Sequence, residues 1–593
     1  MVQPQLFQQQ YLLIFIAGIT VFLLFRYFYS LSPFIYFTND DVFFDSIASG
    51  EMTGTPNPRL YYIGFPAGLL ISTLYKLIPS MPWYGLFLCV SFGITMWVVL
   101  YKLMTLTKNI YGKILLLVLF SIGSYSFLFL HIAEIQFTTV TGMVGAGAVF
   151  LFLLSDAEDD LRQSVKNYLG FFLLSAYSLC IRDKGFLMLL PFVGILGITK
   201  LIDADSKKTR KNLFALAGIF LVMMLLIMGF EKLAYNREDW KEFSDYTSAS
   251  ETLYDYTGYP DYDTYKDVYN ELGLTHSSYE AAAHHYNIIL EPLINKHTME
   301  TLEEIAEAEI ALTPSKLPAK LKEMTLAFWD RHISYTDRPL NLLVYSLYIL
   351  FFVTALISKK KIVMRDIILI GIARMFIWAY LLYYGRLPAR VSQAVYLAEL
   401  VLLLGIAWKY RIWETGCEAD SGRKSLIRFW SLSILCIVFI MFRFGMPKAE
   451  GAKYEANGRL NFSQAFVDIK DYFGEHPENF YFLDMNSFGS FTEDALQGHR
   501  DEYGNFLFMG SWVPHSPWYA EKFERQGILE TDAAKAAFED NVYFVFMKTE
   551  ATGYDYLIDF YAENYPNVSI KLVEELTVSN DVTFQILKGY SNN

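Results

Sequence analysis

The sequence predicts a mainly α, polytopic helical membrane protein of about eleven spans, with an extracytoplasmic helical loop region and a small C-terminal α/β domain. Three observations carry that expectation. Hydrophobic residues fill 53% of 593 positions and the mean hydropathy is +0.26, above the usual soluble domain. Apolar runs of about 18 or more residues, the length that crosses a bilayer, recur along the chain. Lys and Arg gather in alternate short loops between those runs, as a single fixed orientation requires. A net charge of -13 argues against a nucleic-acid partner, whose phosphates need a basic surface.

Taken in order, the N-terminus MVQPQLFQQQ lacks the basic region and small-residue cleavage site of a secretory signal, so the first run is expected to remain as an anchor. Spans are expected to begin near Tyr11, Trp83, Lys113, Ile135, Asn167, Gly185, Asn212, Leu340, Ile362, Val391 and Ser425. Basic residues cluster at Lys102, Lys108 and Lys113, at Arg162 and Lys166, and at Lys207, Lys208, Arg210 and Lys211. They recur at Lys359, Lys360, Lys361 and Arg365, and at Lys409, Arg411, Arg423, Lys424 and Arg428. This places the N-terminus in the cytoplasm and the C-terminus outside. LYYIGFPAGLLISTLYKLIP, residues 60–79, would invert every later loop if it crossed, so it reads as a helix lying along or dipping into the outer surface.

Four regions result. Residues 1–235 form an N-terminal membrane region with a first outer loop at 38–82. Residues 236–339 form an outer, Tyr-rich helical loop region. Residues 340–445 return to the membrane, and 446–593 form an outer α/β domain. In the last, SQAFVDIKDYF and YDYLIDFYAENY read as helices, while FYFLDM, VYFVFMK, SIKLVEEL and TFQILKG read as strands. Three of the four cysteines lie in hydrophobic runs and Cys417 lies in a basic loop, so no disulfide framework is expected outside.

The chemistry-bearing stretch is FTNDDVFFDSIASGEMTGTPNPRLYY, which starts at Phe37 just past the first run. Asp40 and Asp41 stand where a helix should emerge into water, with Asp45 and Glu51 close behind. Asn39 or Asp40 would cap the helix that follows. An acid here would also serve as a general base, or the pair would hold a divalent cation such as Mg or Mn through oxygen ligands.

Cations at the outer ends of spans form a second set: Arg182 and Lys184, then Arg386 and Arg390, with Arg374 near the middle of its span. Snorkelling, or pairing of Arg182 with Asp183, would account for each alone. Together they suit a phosphate, which guanidinium groups bind bidentately. The tyrosines of 254–265 would stack on sugars or, as favoured here, pack small helices together. His131, Glu134 and Gln136 fall in a short outer turn. Asp45, Glu134 and Tyr61 are further candidates for acceptor contacts. The histidines are dispersed, and no His-based metal site is expected.

A cytoplasmic N-terminus, a first outer loop opening with NDD, many spans and a terminal outer domain together resemble the GT-C superfamily of integral-membrane glycosyltransferases, of the bacterial, polyprenyl-phosphate-sugar-dependent type. The resemblance covers the whole architecture, while its sharp motif is the short acidic one. It implies that Asp40 or Asp41 is the catalytic base or a metal ligand. It further implies that Arg182, Lys184, Arg386, Arg390 and Arg374 are candidates for the donor phosphate. The WWD-type motif of oligosaccharyltransferases is absent from the terminal domain. The implied acceptor is therefore a lipid, polysaccharide or cell-wall polymer, and the implied setting is the bacterial plasma membrane. Two alternatives stay open at this level. One is a transporter or flippase of a lipid-linked or anionic solute built on Arg374, against which stands the lack of any internal repeat. The other is a non-catalytic glycan-binding membrane scaffold.

Overall fold

The computed structural model describes residues 2–286, 288–311, 313–333, 336–414, 420–498, 504–528, 533–549 and 553–591; Cys417 lies outside them. Among the described residues, nine helices are long and apolar enough to cross a membrane: Gln8–Leu31, Trp83–Leu106, Ile110–Ala133, Phe137–Leu154, Lys207–Ala234, Leu340–Ile357, Lys361–Tyr384, Ala389–Lys409 and the apolar part of Leu426–Glu475. The chain is an integral membrane protein. The spans expected near Asn167 and Gly185 fall short of that description. Leu161–Ile181 opens with Arg162 and Lys166, and the second is broken into Asp183–Leu187 and Leu190–Asp203. The stretch 60–79 yields Phe65–Leu77, 13 residues. At about 20 Å this helix is shorter than the ~30 Å hydrocarbon core of a bilayer.

Phe137–Leu154 is the axis of the bundle, with all but its last residue buried. Its composition explains this, because Gly142, Gly145 and Gly147 let neighbours approach closely. A Cβ on Gly142 would lie 2.3 Å from that of Ala394 on Ala389–Lys409. By contrast Lys207–Ala234 is peripheral, and Leu221, Val222, Leu225 and Leu226 expose their side chains as a lipid-facing helix does.

The last span passes through a π-helical turn, Met441–Gly445, into the polar helix Met446–Glu475. The expected domain boundary at 446 therefore lies within one continuous helical rod. Beyond it a five-stranded sheet forms, in the order Phe506–Phe508, Phe480–Leu483, Val542–Met547, Thr583–Ser591, Val568–Thr577. The first three strands are parallel and the last two pairings are antiparallel. FYFL and VYFVFM are continuous apolar runs because central parallel strands are covered on both faces. The domain rests on the ends of the first two spans. Ala495 donates its N–H to the Phe34 carbonyl at 2.7 Å, and the Tyr29 hydroxyl donates to Asp494 at 2.9 Å. A Cβ on Gly85 would lie 1.6 Å from the Ala495 carbonyl oxygen, so only glycine permits this seating.

The Tyr-rich region is a set of short helices around a small core of its own, which includes Tyr246, Tyr262, Tyr269, Met299 and Leu302. Several of its tyrosines serve as packing groups with tethered hydroxyls. Tyr269, for example, donates to the Pro260 carbonyl at 2.7 Å and Tyr265 to Glu309 at 2.7 Å. Its final helix, Leu317–Ile333, has no buried residue, and Phe328 and His332 lean on Trp378 of a span.

Candidate functional site

The helix Asn39–Ser49 carries both aspartates in its first turn. Neither caps it. The N-cap position belongs to Thr38, whose hydroxyl donates instead to Asp41 Oδ2 at 2.9 Å. Successive residues of a helix point about 100° apart, and here that separates the two carboxylates completely. Asp41 is fully buried and accepts from the Tyr84 hydroxyl at 2.7 Å and the Phe137 N–H at 3.2 Å. It ties the loop helix to two spans. Burial pushes its carboxyl up to about 7, with the bonds from Tyr84 and Thr38 acting against that rise. Asp45 is likewise spent internally, accepting from Tyr36 at 2.7 Å and Tyr75 at 2.5 Å. Glu51 pairs with Lys470 at 3.2 Å.

Asp40, by contrast with Asp41, faces a cavity. This space, about 200 Å³, is lined by Asp40, Tyr62, Phe137, Arg182, Arg386, Arg390 and Trp512. Thr247, Ser250, Glu251, Tyr254, Asp255 and Tyr286 of the Tyr-rich region close it, together with Ser511. Six distant stretches of chain thus meet at one place. Burial lifts the Asp40 carboxyl above its ordinary range, while Arg390, the Trp512 N–H, Arg182 and Arg386 draw it back.

The three guanidinium groups are held differently. Arg182 follows the helix Leu161–Ile181 in extended conformation, donates to Thr138 Oγ1 at 2.6 Å and lies 4.8 Å from the Phe137 ring centre. It does not pair with Asp183, whose carboxylate accepts the Lys184 N–H. Arg386 follows the left-handed Gly385 that ends Lys361–Tyr384, and it forms an ion pair with Asp255. That partner keeps the Asp255 carboxyl from rising as far as burial alone would push it. Arg390, in the first turn of Ala389–Lys409, forms no ion pair among the described residues, whereas Arg386 and Arg374 do.

The remaining candidates lie elsewhere. Lys184, its side chain 69% exposed, reaches Glu251 at 3.8 Å. Arg374, expected beside the donor phosphate, is buried among Glu399, His332 at 2.8 Å and the Tyr345 hydroxyl at 2.9 Å. It is absent from the cavity wall because it points into the bundle. Tyr61 stands behind the wall in a left-handed conformation (φ 62°), its N–H given to the Tyr235 hydroxyl at 3.0 Å and its ring stacked on Trp512. Glu134 is buried in a two-residue parallel pairing with Ile35–Tyr36, beyond the cavity lining. Of the pair expected to hold a cation, Asp41 accepts from three protein donors, while Asp40 faces the cavity. Among the described residues no three His, Cys, Asp or Glu side chains converge as a metal site.

Sequence reasoning missed Trp512, Tyr62, Glu251 and Asp255. No local pattern marks them. Tyr62 is one ring in an aromatic pair and Trp512 one indole in a loop, and both gain meaning only from what folds against them.

No family model matches the chain, and no curated protein matches it. Among solved structures, the crystal structure of ArnT from Cupriavidus metallidurans bound to undecaprenyl phosphate is similar over 97% of each chain, at 11% identity and a TM-score of 0.39.

Proposed function

We propose that this protein is a membrane glycosyltransferase that moves a sugar from a polyprenyl-phosphate-linked donor to a lipid, polysaccharide or cell-wall polymer acceptor. The supporting observation is the cavity itself: the half-buried Asp40 shares it with three guanidinium groups, of which Arg386 is held by Asp255 and Glu251 and Arg390 has no ion pair among the described residues. A sugar bound through phosphate already carries a good leaving group. The reaction needs a base for the acceptor hydroxyl and cations for the departing charge. In this reading Asp40 takes the hydroxyl proton as the acceptor oxygen bonds to the anomeric carbon. The carbon–oxygen bond to phosphate breaks on the opposite side, and Arg390 and Arg182 receive the phosphate. A single displacement inverts the anomeric centre.

The cavity belongs, in this reading, to the outer face of a bacterial plasma membrane, with the N-terminus cytoplasmic and the C-terminus outside. Phe137, at one end of the axial helix, meets Asp41, whereas Lys409 reaches the Leu153 carbonyl at the other end at 3.0 Å. Lys207 likewise begins the span whose far end, at Ala234, accepts from Arg59 at 3.1 Å near Tyr61. Basic loops and acidic helix thus lie at opposite ends of shared spans, as the positive-inside rule asks.

The test is transfer from a radiolabelled polyprenyl-phosphate sugar by the full-length protein in lipid nanodiscs. Asp40→Asn is expected to lower kcat by about 10²–10⁴, the usual weight of a general base. Because the carboxyl is raised and acts unprotonated, the parent should gain rate with pH through a midpoint above the ordinary carboxylate range. Parental turnover in Asp40→Asn would remove the proposal.

A further inference from the structure

The C-terminal domain lines the cavity with Ser511 and Trp512. Its strand Phe506–Phe508 ends at the carboxyl edge of the parallel half of the sheet, where the loop 509–516 begins. That loop is tightly fixed. Met509 donates to the Leu483 carbonyl at 2.9 Å and accepts from the Ile289 N–H at 3.1 Å. A Cβ on Gly510 would lie 1.5 Å from the Tyr286 carbonyl oxygen, so glycine is required for the two regions to meet. Ser511 and His515 adopt left-handed conformations, φ 78° and 63°, which non-glycine residues hold only when their surroundings impose them.

Between them Trp512 is wedged among Phe43, Phe44, Tyr61, Tyr62 and Trp518, with ring centres 5.1–6.3 Å away. Its indole Nε1 donates to Asp40 Oδ1 at 3.0 Å. The neighbouring Trp518 offers a contrast, because its buried Nε1 has no partner among the described residues. Packing in this cluster therefore does not demand a bonded indole. The Trp512 N–H is a separate provision, directed at the carboxylate that faces the cavity.

We propose that Trp512 is a positioning residue: its indole N–H fixes one oxygen of Asp40 so that the other is presented to the acceptor hydroxyl. This rests on Asp40 acting as the base, and it makes the C-terminal domain an integral wall of the site. The other groups around Asp40 are Arg182, Arg386 and Arg390 from the spans, Tyr62, Glu251 and Asp255 across the cavity, and the adjacent Asp41. All of them persist when the indole N–H alone is removed.

Trp512→Phe in the full-length protein keeps a ring in the cluster and deletes the donor. The expected result is a fall in kcat of about 10-fold, the scale of a hydrogen bond to a charged group. The donor KM should stay within about twofold, since the phosphate contacts are untouched. A bond to the ionised carboxylate favours that form, so its loss should move the acid limb of the pH–rate profile to higher pH. Trp518→Phe should leave the limb in place. An equal loss of rate with an unmoved limb would mark a merely structural role, and a parental rate would overturn the proposal.

A second readout does not need turnover. In the ¹⁵N-indole spectrum of the ten tryptophans, the resonance missing from Trp512→Phe should shift with pH in the parent and stay flat in Asp40→Asn. A pH-dependent shift that Asp40→Asn leaves unchanged would overturn the pairing. A parent that transfers no polyprenyl-phosphate sugar would instead fail the glycosyltransferase reading, which is a separate result.

Discussion

Arg374 and Arg390 stand on consecutive helices, Lys361–Tyr384 and Ala389–Lys409, and both are cations where hydrocarbon or its edge begins. Arg374 is enclosed. Glu399 balances its charge, His332 and Tyr345 take further bonds, and the rings of Tyr345, Trp378 and Tyr396 lie 5.1–5.3 Å from its guanidinium carbon. Arg390 faces open space beside Asp40 with no ion pair among the described residues. A cation at membrane depth is costly in either place. The contrast teaches that the charge alone does not mark a binding site. What marks one is a charge left unsatisfied at a cavity wall.

The strongest way to break this comparison is to remove the enclosed cation. Arg374→Met leaves Glu399 buried and unpaired, at an expected loss of about 3–5 kcal/mol in stability, seen as a lowered Tm in detergent. Activity per folded molecule should hold; a loss of transfer with unchanged Tm would return Arg374 to the site.

Asp41 sharpens the comparison from the acidic side, as a buried carboxylate held by hydroxyls and an N–H, with no ion pair among the described residues. Its pKa is raised, to about 7, so the folded state holds its proton more tightly than the unfolded chain does. That contribution is complete below the unfolded value and is lost as pH climbs toward and through 7. Stability should therefore fall by roughly 2–3 kcal/mol between pH 5 and 8 on this group's account. Asp41→Asn should flatten that dependence when Tm is followed against pH, and an unchanged slope would contradict the assignment.

Arg390→Ala should raise the KM for a phosphate-linked donor about 10–100-fold, with Tm nearly unchanged because no ion pair is broken. The exposed Lys184→Ala is expected to change either value less than about twofold. A reversal of these two outcomes would move the phosphate site to the cavity rim.

How far the sequence reached differs between fold and site. Long apolar runs disclosed the spans because length and hydropathy are local properties, and FYFLDM, VYFVFMK, SIKLVEEL and TFQILKG disclosed strands for the same reason. The interrupted pair near Gly185 was less legible: its apolar stretch is continuous enough to suggest a span, but the turn after Leu187 shortens it. At the site, NDD drew attention to the right helix without separating Asp40 from Asp41. The outer cations were visible as exceptions to charge bias, and Arg374 stood apart by its mid-span position, yet that bias did not tell which of them opens on the cavity.

The sequence by itself determined a membrane bundle, an acidic helix just after the first span, and a terminal α/β domain. It did so through hydrophobic length, charge bias and period, which neighbouring residues set among themselves. Tertiary structure decided which aspartate faces the cavity, which arginines share it, and that an indole 472 positions away completes it. Those outcomes depend on helix rotation and on close approaches at Gly85 and Gly510, where backbones from distant parts of the chain meet. Such contacts have no signature until the chain has packed.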